Sequence, residues 1–186
     1  MGALVVESVG KQISLRMQST QIRSTTSAGA CPARDPHEGH QALRKGRASI
    51  ANRAYLITTT TFERKKLFNE FATACAAARC FENPDFLGDA KMFVWVLMPD
   101  PFHCLLQLGE HDPLSRVANR LKSANARHAN QTRNATASVW AKAFHDHGLR
   151  NKEDLQSVAR YIVANHLRAG LVKHLGDYPF WNAVWL

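Results

Sequence analysis

Apolar residues recur along this chain at two different periods. Tyr55 to Phe62 is rich in β-branched and aromatic side chains, which predicts a strand. From Glu63 to Arg79 the spacing changes: Leu67, Phe68, Phe71, Ala74, Cys75 and Ala78 recur at helical intervals, predicting one helix with an apolar stripe. Asn83-Pro84-Asp85 is a turn. Met92 to Met98 is apolar on both faces and predicts a central strand. Pro99-Asp100-Pro101 interrupts it, and Phe102 to Leu108 resumes as a second strand, so that the two pair as a hairpin.

Asp112-Pro113 then predicts a helix start, with aspartate as N-cap and proline in the first turn. Leu114, Val117, Leu121 and Ala124 form its buried stripe, while Arg116, Arg120, Lys122 and Arg127 lie largely off it and give a basic outer surface. Val139 to Phe144 predicts a fourth strand. Asn151 to Asp154 reads as an N-cap box before a last helix with Leu155, Val158, Ala159 and Ile162 inward and Gly170 as terminator. The order β-α-β-β-α-β-α predicts an α+β fold: a ferredoxin-like antiparallel four-stranded sheet, helices on one or both faces, and a C-terminal helix carrying Tyr161.

Composition divides the chain. All aromatic residues fall after residue 50, so the first fifty residues offer little to a packed core. A disordered or loosely attached tail over residues 1–36 and a domain over 37–186 follow. No apolar run approaches the roughly 20 residues of a membrane span. No secretory leader pattern opens the chain, and the four cysteines show neither a CxxC pair nor a zinc spacing, which points to reduced thiols in a cytoplasm. The formal charge of +9 points to a polyanionic partner, nucleic acid first. A solvated charged face is the competing reading, and composition does not separate the two.

Three positions carry candidate chemistry. Tyr161 and Asn165 stand four residues apart on the last helix, with Ser157 and Arg168 continuing the row. A phenol is a competent nucleophile toward a phosphodiester when a cation polarises the phosphate; a tyrosine covering the core edge is the plain alternative. His103 lies in a strand, where a His-x-His pair can chelate a metal, but Pro101 occupies the partner position. On spacing alone His103 is a packed or hydrogen-bonded residue. Arg44-Lys45-Gly46-Arg47 is a basic run able to hold phosphates.

Several segments together resemble the single-tyrosine HUH transposases, above all the REP-associated tyrosine transposases of bacteria. They are His40 to Arg47, Tyr55 to Thr59, Val96 to Leu106, Leu121-Lys122, Trp140 to Leu149, Tyr161 to Val172, and Asp177-Tyr178-Pro179 with Trp181. The resemblance covers roughly residues 37–186 in order. It implies cleavage and rejoining of single-stranded DNA at hairpin repeats, with Tyr161 as the nucleophile that forms a 5′-phosphotyrosine. It also implies His103 and Asn165 as ligands of Mg²⁺ or Mn²⁺, and a monomer or homodimer acting beside the nucleoid in the cytoplasm. Arg44, Lys45, Arg47, Arg116, Arg120, Lys122 and Arg127 are the DNA-binding candidates. Pro101 departs from the family, which has histidine there, and takes away one of three protein ligands. The alternative is therefore a hairpin-binding remnant without chemistry. His166 replaces a family proline, and helical geometry turns it away from Asn165. His145-Asp146-His147 looks like a displaced histidine pair and reads as a decoy.

Overall fold

A computed structural model describes residues 49–150 and 154–185 of the chain. The tail, its boundary after Pro36 and the basic run Arg44-Lys45-Arg47 lie outside the described residues. Strand β1, Ala54–Thr59, is flanked by β3, Phe102–Gln107, and β4, His145–Gly148. Beyond β3 come β2, Lys91–Leu97, and a short edge strand β5, Trp181–Ala183. The order β4-β1-β3-β2-β5 is antiparallel throughout, so the ferredoxin-like core of four strands gains a fifth at one edge.

Strand alternation sorts the core into two layers. On one face Tyr55, Ile57, Trp95, Leu97, Phe102, Cys104 and Leu106 meet helices α1, Phe71–Ala78, and α3, Leu114–Arg133. The other face presents Leu56, Val94, Val96 and Leu105 to helix α4, Leu155–Val163, which buries Val158, Ala159, Ile162 and Val163. Between Met92 and Val94 the β2–β3 register shifts by a bulge at Phe93. Helices thus cover both faces, and no helix among the described residues is long and apolar enough to cross a membrane.

The hairpin of β2 and β3 and the buried stripe of α3 match the expectations; four others need correction. The helix expected over residues 63–79 is confined to α1, because two 3₁₀ turns precede it and Glu63 and Arg64 take positive φ. Local side-chain bonds compete with the helix there: Thr61 Oγ1 donates to the Lys65 carbonyl at 2.6 Å, and the Asp100 carboxylate accepts the Thr61 N–H at 2.7 Å. Phe71, expected inside, is 63% exposed. The fourth strand is His145–Gly148 rather than Val139–Phe144, which makes one bridge, Thr61 to Trp140. Asp112 does not cap α3. Its carboxylate accepts Arg116 and Arg120, and the Ser49 hydroxyl accepts the Leu114 N–H at 3.0 Å. The last helix is capped by Asp154, whose carboxylate accepts the Gln156 and Ser157 N–H groups; Asn151 to Glu153 fall outside the described residues.

Candidate active site

His103 faces α4 because its β3 neighbours Phe102 and Cys104 face the aromatic layer. Across the ladder it stands opposite Thr58, and Thr58 Oγ1 lies 2.8 Å from His103 Nδ1. Part of the ring reaches solvent, yet the protein packed around it desolvates the imidazole. That burial, with the nearby positive charge of Arg168, lowers its pKa to about 4. His103 is therefore neutral near pH 7.

Tyr161 and Asn165 do not share one uninterrupted helix. Helix α4 ends at Val163, Ala164 takes φ −67° and ψ −3°, and Asn165–Arg168 forms a separate turn, α5. Arg168 closes the break. Its Nη2 donates to the Tyr161 carbonyl at 3.0 Å and to Asn165 Oδ1 at 2.5 Å, and its guanidinium carbon sits 4.0 Å from the centre of the Tyr161 ring. Burial lowers the guanidinium pKa while Tyr161 works the other way. The expected row of Tyr161, Asn165 and Arg168 is thus assembled by a side chain rather than by helix pitch. Ser157 is not part of it, since its hydroxyl donates to Asp154 at 2.6 Å.

Gly170 ends the segment with φ +67°; its N–H bonds the Leu167 carbonyl, and Leu171 N–H bonds that of His166. His166 turns inward as helical geometry predicts and is fully buried. Its ring stacks on Tyr178 at 4.8 Å, and Tyr178 Oη donates to the Leu97 carbonyl at 2.7 Å. Burial lowers the His166 pKa, outweighing the nearby Leu175 and Val163 carbonyls, and raises that of Tyr178 to about 12. The motif around Tyr178 therefore wedges the turn carrying Asn165 against the sheet.

Arg116 and Arg127 are exposed on α3. Arg120 and Lys122 are half-buried and engaged. Arg120 donates to the carbonyls of Phe86 and Leu87, at the end of the short helix α2, Pro84–Leu87, and to Asp112 (α2 precedes β2 in the chain). Lys122 Nζ donates to the Ala141 carbonyl at 2.7 Å, and burial lowers its pKa. Sequence reasoning did not single out Thr58, whose signal was its alternation within a threonine run. His145, set aside in the sequence as part of a decoy, pairs with Thr58 from the other side and so shares a cross-strand row with His103.

Comparison with known proteins adds a family to this geometry. The family model described as "Transposase IS200 like" matches residues 49–165. The chain belongs to the IS200-like transposase family. Within it, the resemblance is to the REP-associated branch: the REP-associated tyrosine transposase of Escherichia coli (strain K12) is 31% identical over 86 residues, 46% of this chain and 50% of that protein. The chain thus matches about half the length of this curated relative. A solved REP-associated tyrosine transposase bound to a REP hairpin superposes with a TM-score of 0.57 at 22% identity, over 73% of this chain and 79% of the other, a likeness of fold.

The residues of this IS200-like chain do not fit the divalent ion that the family resemblance implies. Pro101, just ahead of β3, has no donor atom on its side chain, Asn165 Oδ1 is taken by Arg168, and of the three implied ligands only His103 keeps a donor, Nε2, with its Nδ1 engaged by Thr58. Among the described residues no three His, Cys, Asp or Glu side chains converge on a metal position.

Proposed function

We propose that this transposase-family chain binds single-stranded DNA at hairpin repeats and cleaves and rejoins it through Tyr161. The observation that carries the reading is the placement of the Tyr161 phenol against the Arg168 guanidinium, beside Asn165 and on the His103 face of the sheet. Attack of Tyr161 Oη on the phosphorus forms an O–P bond and breaks the bond to the 3′ oxygen. The phenol proton passes to solvent, and the departing 3′ oxygen takes one up. The phosphodiester keeps its single charge in the 5′-phosphotyrosine, and attack by a 3′-hydroxyl reverses the step to rejoin the strand. No redox partner is needed. Such a substrate places the protein with the nucleoid in the cytoplasm.

Incubation with a labelled hairpin oligonucleotide is expected to give an SDS-stable adduct that Tyr161→Phe abolishes. An adduct that persists in Tyr161→Phe sinks the assignment. One observation favours a second reading, hairpin binding without chemistry: Pro101 stands where the family ligand would be. That reading predicts tight, salt-sensitive binding, through exposed cations such as Arg116 and Arg127, with no adduct under any condition.

A further inference from the structure

We propose that Arg168 takes the place of the divalent cation, so that the guanidinium itself grips the scissile phosphate and the site works without a metal. The proposal rests on the reading of Tyr161 as nucleophile. Three features of the cluster lead to it.

The first is the state of the metal donors. Asn165 is the clearest case: its amide oxygen, the atom that would ligate an ion, accepts Arg168 Nη2 at 2.5 Å. A fixed positive charge therefore already occupies the neighbourhood in which the ion would sit, and that charge is felt as far as His103. A second cation there meets repulsion and an incomplete donor set together.

The second is what the same amide offers instead. With Oδ1 turned to the guanidinium, Asn165 Nδ2 is buried and has no hydrogen-bond partner among the described residues. A buried, unpaired donor calls for an acceptor, and a phosphate oxygen supplies one. The amide is thus oriented for an anion rather than for a cation.

The third is the guanidinium geometry. Arg168 makes both of its bonds in the cluster through Nη2, which leaves the Nη1 and Nε donors for a ligand. A planar fork of N–H groups matches two oxygens of a phosphodiester, and the guanidinium keeps its charge at any physiological pH. Its stacking on the Tyr161 ring fixes the distance between the phosphate it holds and the phenol that attacks. As the Tyr161 Oη–P bond forms and the P–O3′ bond breaks, negative charge builds on the non-bridging oxygens, where these donors stabilise it.

The experiment has three arms on the full chain. Adduct formation by the wild type is expected to proceed at the same rate, within about twofold, in excess EDTA and in Mn²⁺. Arg168→Ala is expected to slow it by at least about a hundredfold, and Arg168→Lys by less, since lysine keeps the charge without the fork. In a Tyr161→Phe background, Arg168→Ala should weaken binding of a single-stranded oligonucleotide in EDTA by about tenfold. The control on the exposed side of α4, Arg160→Ala, should change it by less than about twofold. Titration followed by Mn²⁺ paramagnetic resonance should show no site in the wild type and one in the double variant Pro101→His, Arg168→Ala. A wild-type adduct that requires Mn²⁺, or Mn²⁺ binding that His103→Ala removes, overturns the proposal and leaves Tyr161 as nucleophile. Absence of any adduct refutes the nucleophile instead; Arg168 is then judged by the binding arm, where an unchanged affinity overturns it. Melting curves confirm that each variant folds.

Discussion

On the face covered by α1 and α3, β3 contributes Phe102 and Cys104 to a dry aromatic layer in which Phe81 stacks on Phe102 at 4.1 Å. One residue along, on the face covered by α4, the same strand contributes His103 to a polar cluster with Thr58, Asn165 and Arg168. The first face is closed by packing. The second is closed by aliphatic packing under α4 and, around His103 and Asn165, by hydrogen bonds, and it retains a buried donor on Asn165 without a partner among the described residues. The contrast shows that alternation lets one strand serve stability and chemistry at single-residue spacing, so substitutions at adjacent positions should separate the two.

The largest effect expected is on that pair. Phe102→Ala should cost about 3–5 kcal/mol in chemical denaturation, because the cavity lies between Phe81 and Trp140. His103→Ala, which loses the contact with Thr58, should cost about 1 kcal/mol or less in denaturation. If His103→Ala is the more destabilising, the division between the faces is wrong. Next, Arg120→Ala should lose about 1–3 kcal/mol in denaturation, because its guanidinium caps the Phe86 and Leu87 carbonyls. The exposed Arg116→Ala should stay within about 0.5 kcal/mol on the same measurement and act on DNA affinity alone. Arg120 thus behaves as part of the fold.

Tyr178 links the second face to its loop, and Tyr178→Phe should cost about 1 kcal/mol at pH 8 through the lost bond to Leu97. Its pKa is raised to about 12, so between pH 10 and 12 the unfolded chain gives up a proton that the folded chain keeps. Stability should therefore fall as pH rises through that window, and Tyr178→Phe should flatten the slope in denaturation curves. The smallest effect is at Gly170, where φ +67° with open space around it leaves backbone strain as the cost. Gly170→Ala should lower stability by about 1 kcal/mol in thermal melts.

Much of the packed face was legible from the sequence. Runs such as Met92 to Met98 and the stripe Leu114, Val117, Leu121 declare themselves through apolar periodicity, the quantity that burial selects. Strand β4 was not, because His145 to Gly148 is a polar edge whose pairing with β1 leaves no apolar signature. The segment before α1 misled for a different reason. Its apolar spacing is helical, but the Thr61–Asp100–Arg64 bonds come from residues distant in sequence, and Glu63 and Arg64 depart from helical φ. In the site, Tyr161, Asn165 and Arg168 were legible as a row, yet the row is held by a guanidinium across a broken helix, which spacing does not encode.

The bulge at Phe93 sets a phase for everything beyond it. Met92 packs with the aromatic layer, whereas Val94, two residues on, packs under α4, so the extra residue converts an even step into an odd one. Every side chain from Val94 to Met98 takes its face from that single count, and so does β5, which pairs with Val94, Trp95 and Val96. Removing Phe93 would let Met92 and Val94 pair with Leu106 and Leu105 as consecutive residues and keep every face. Removing a residue between Val94 and Met98 would instead invert inside and outside on one side of the cut, in the strand beside His103. The strand is thus less tolerant of a one-residue deletion beyond the bulge than of many substitutions, and Phe93 is the one position it can lose without changing its reading frame of faces.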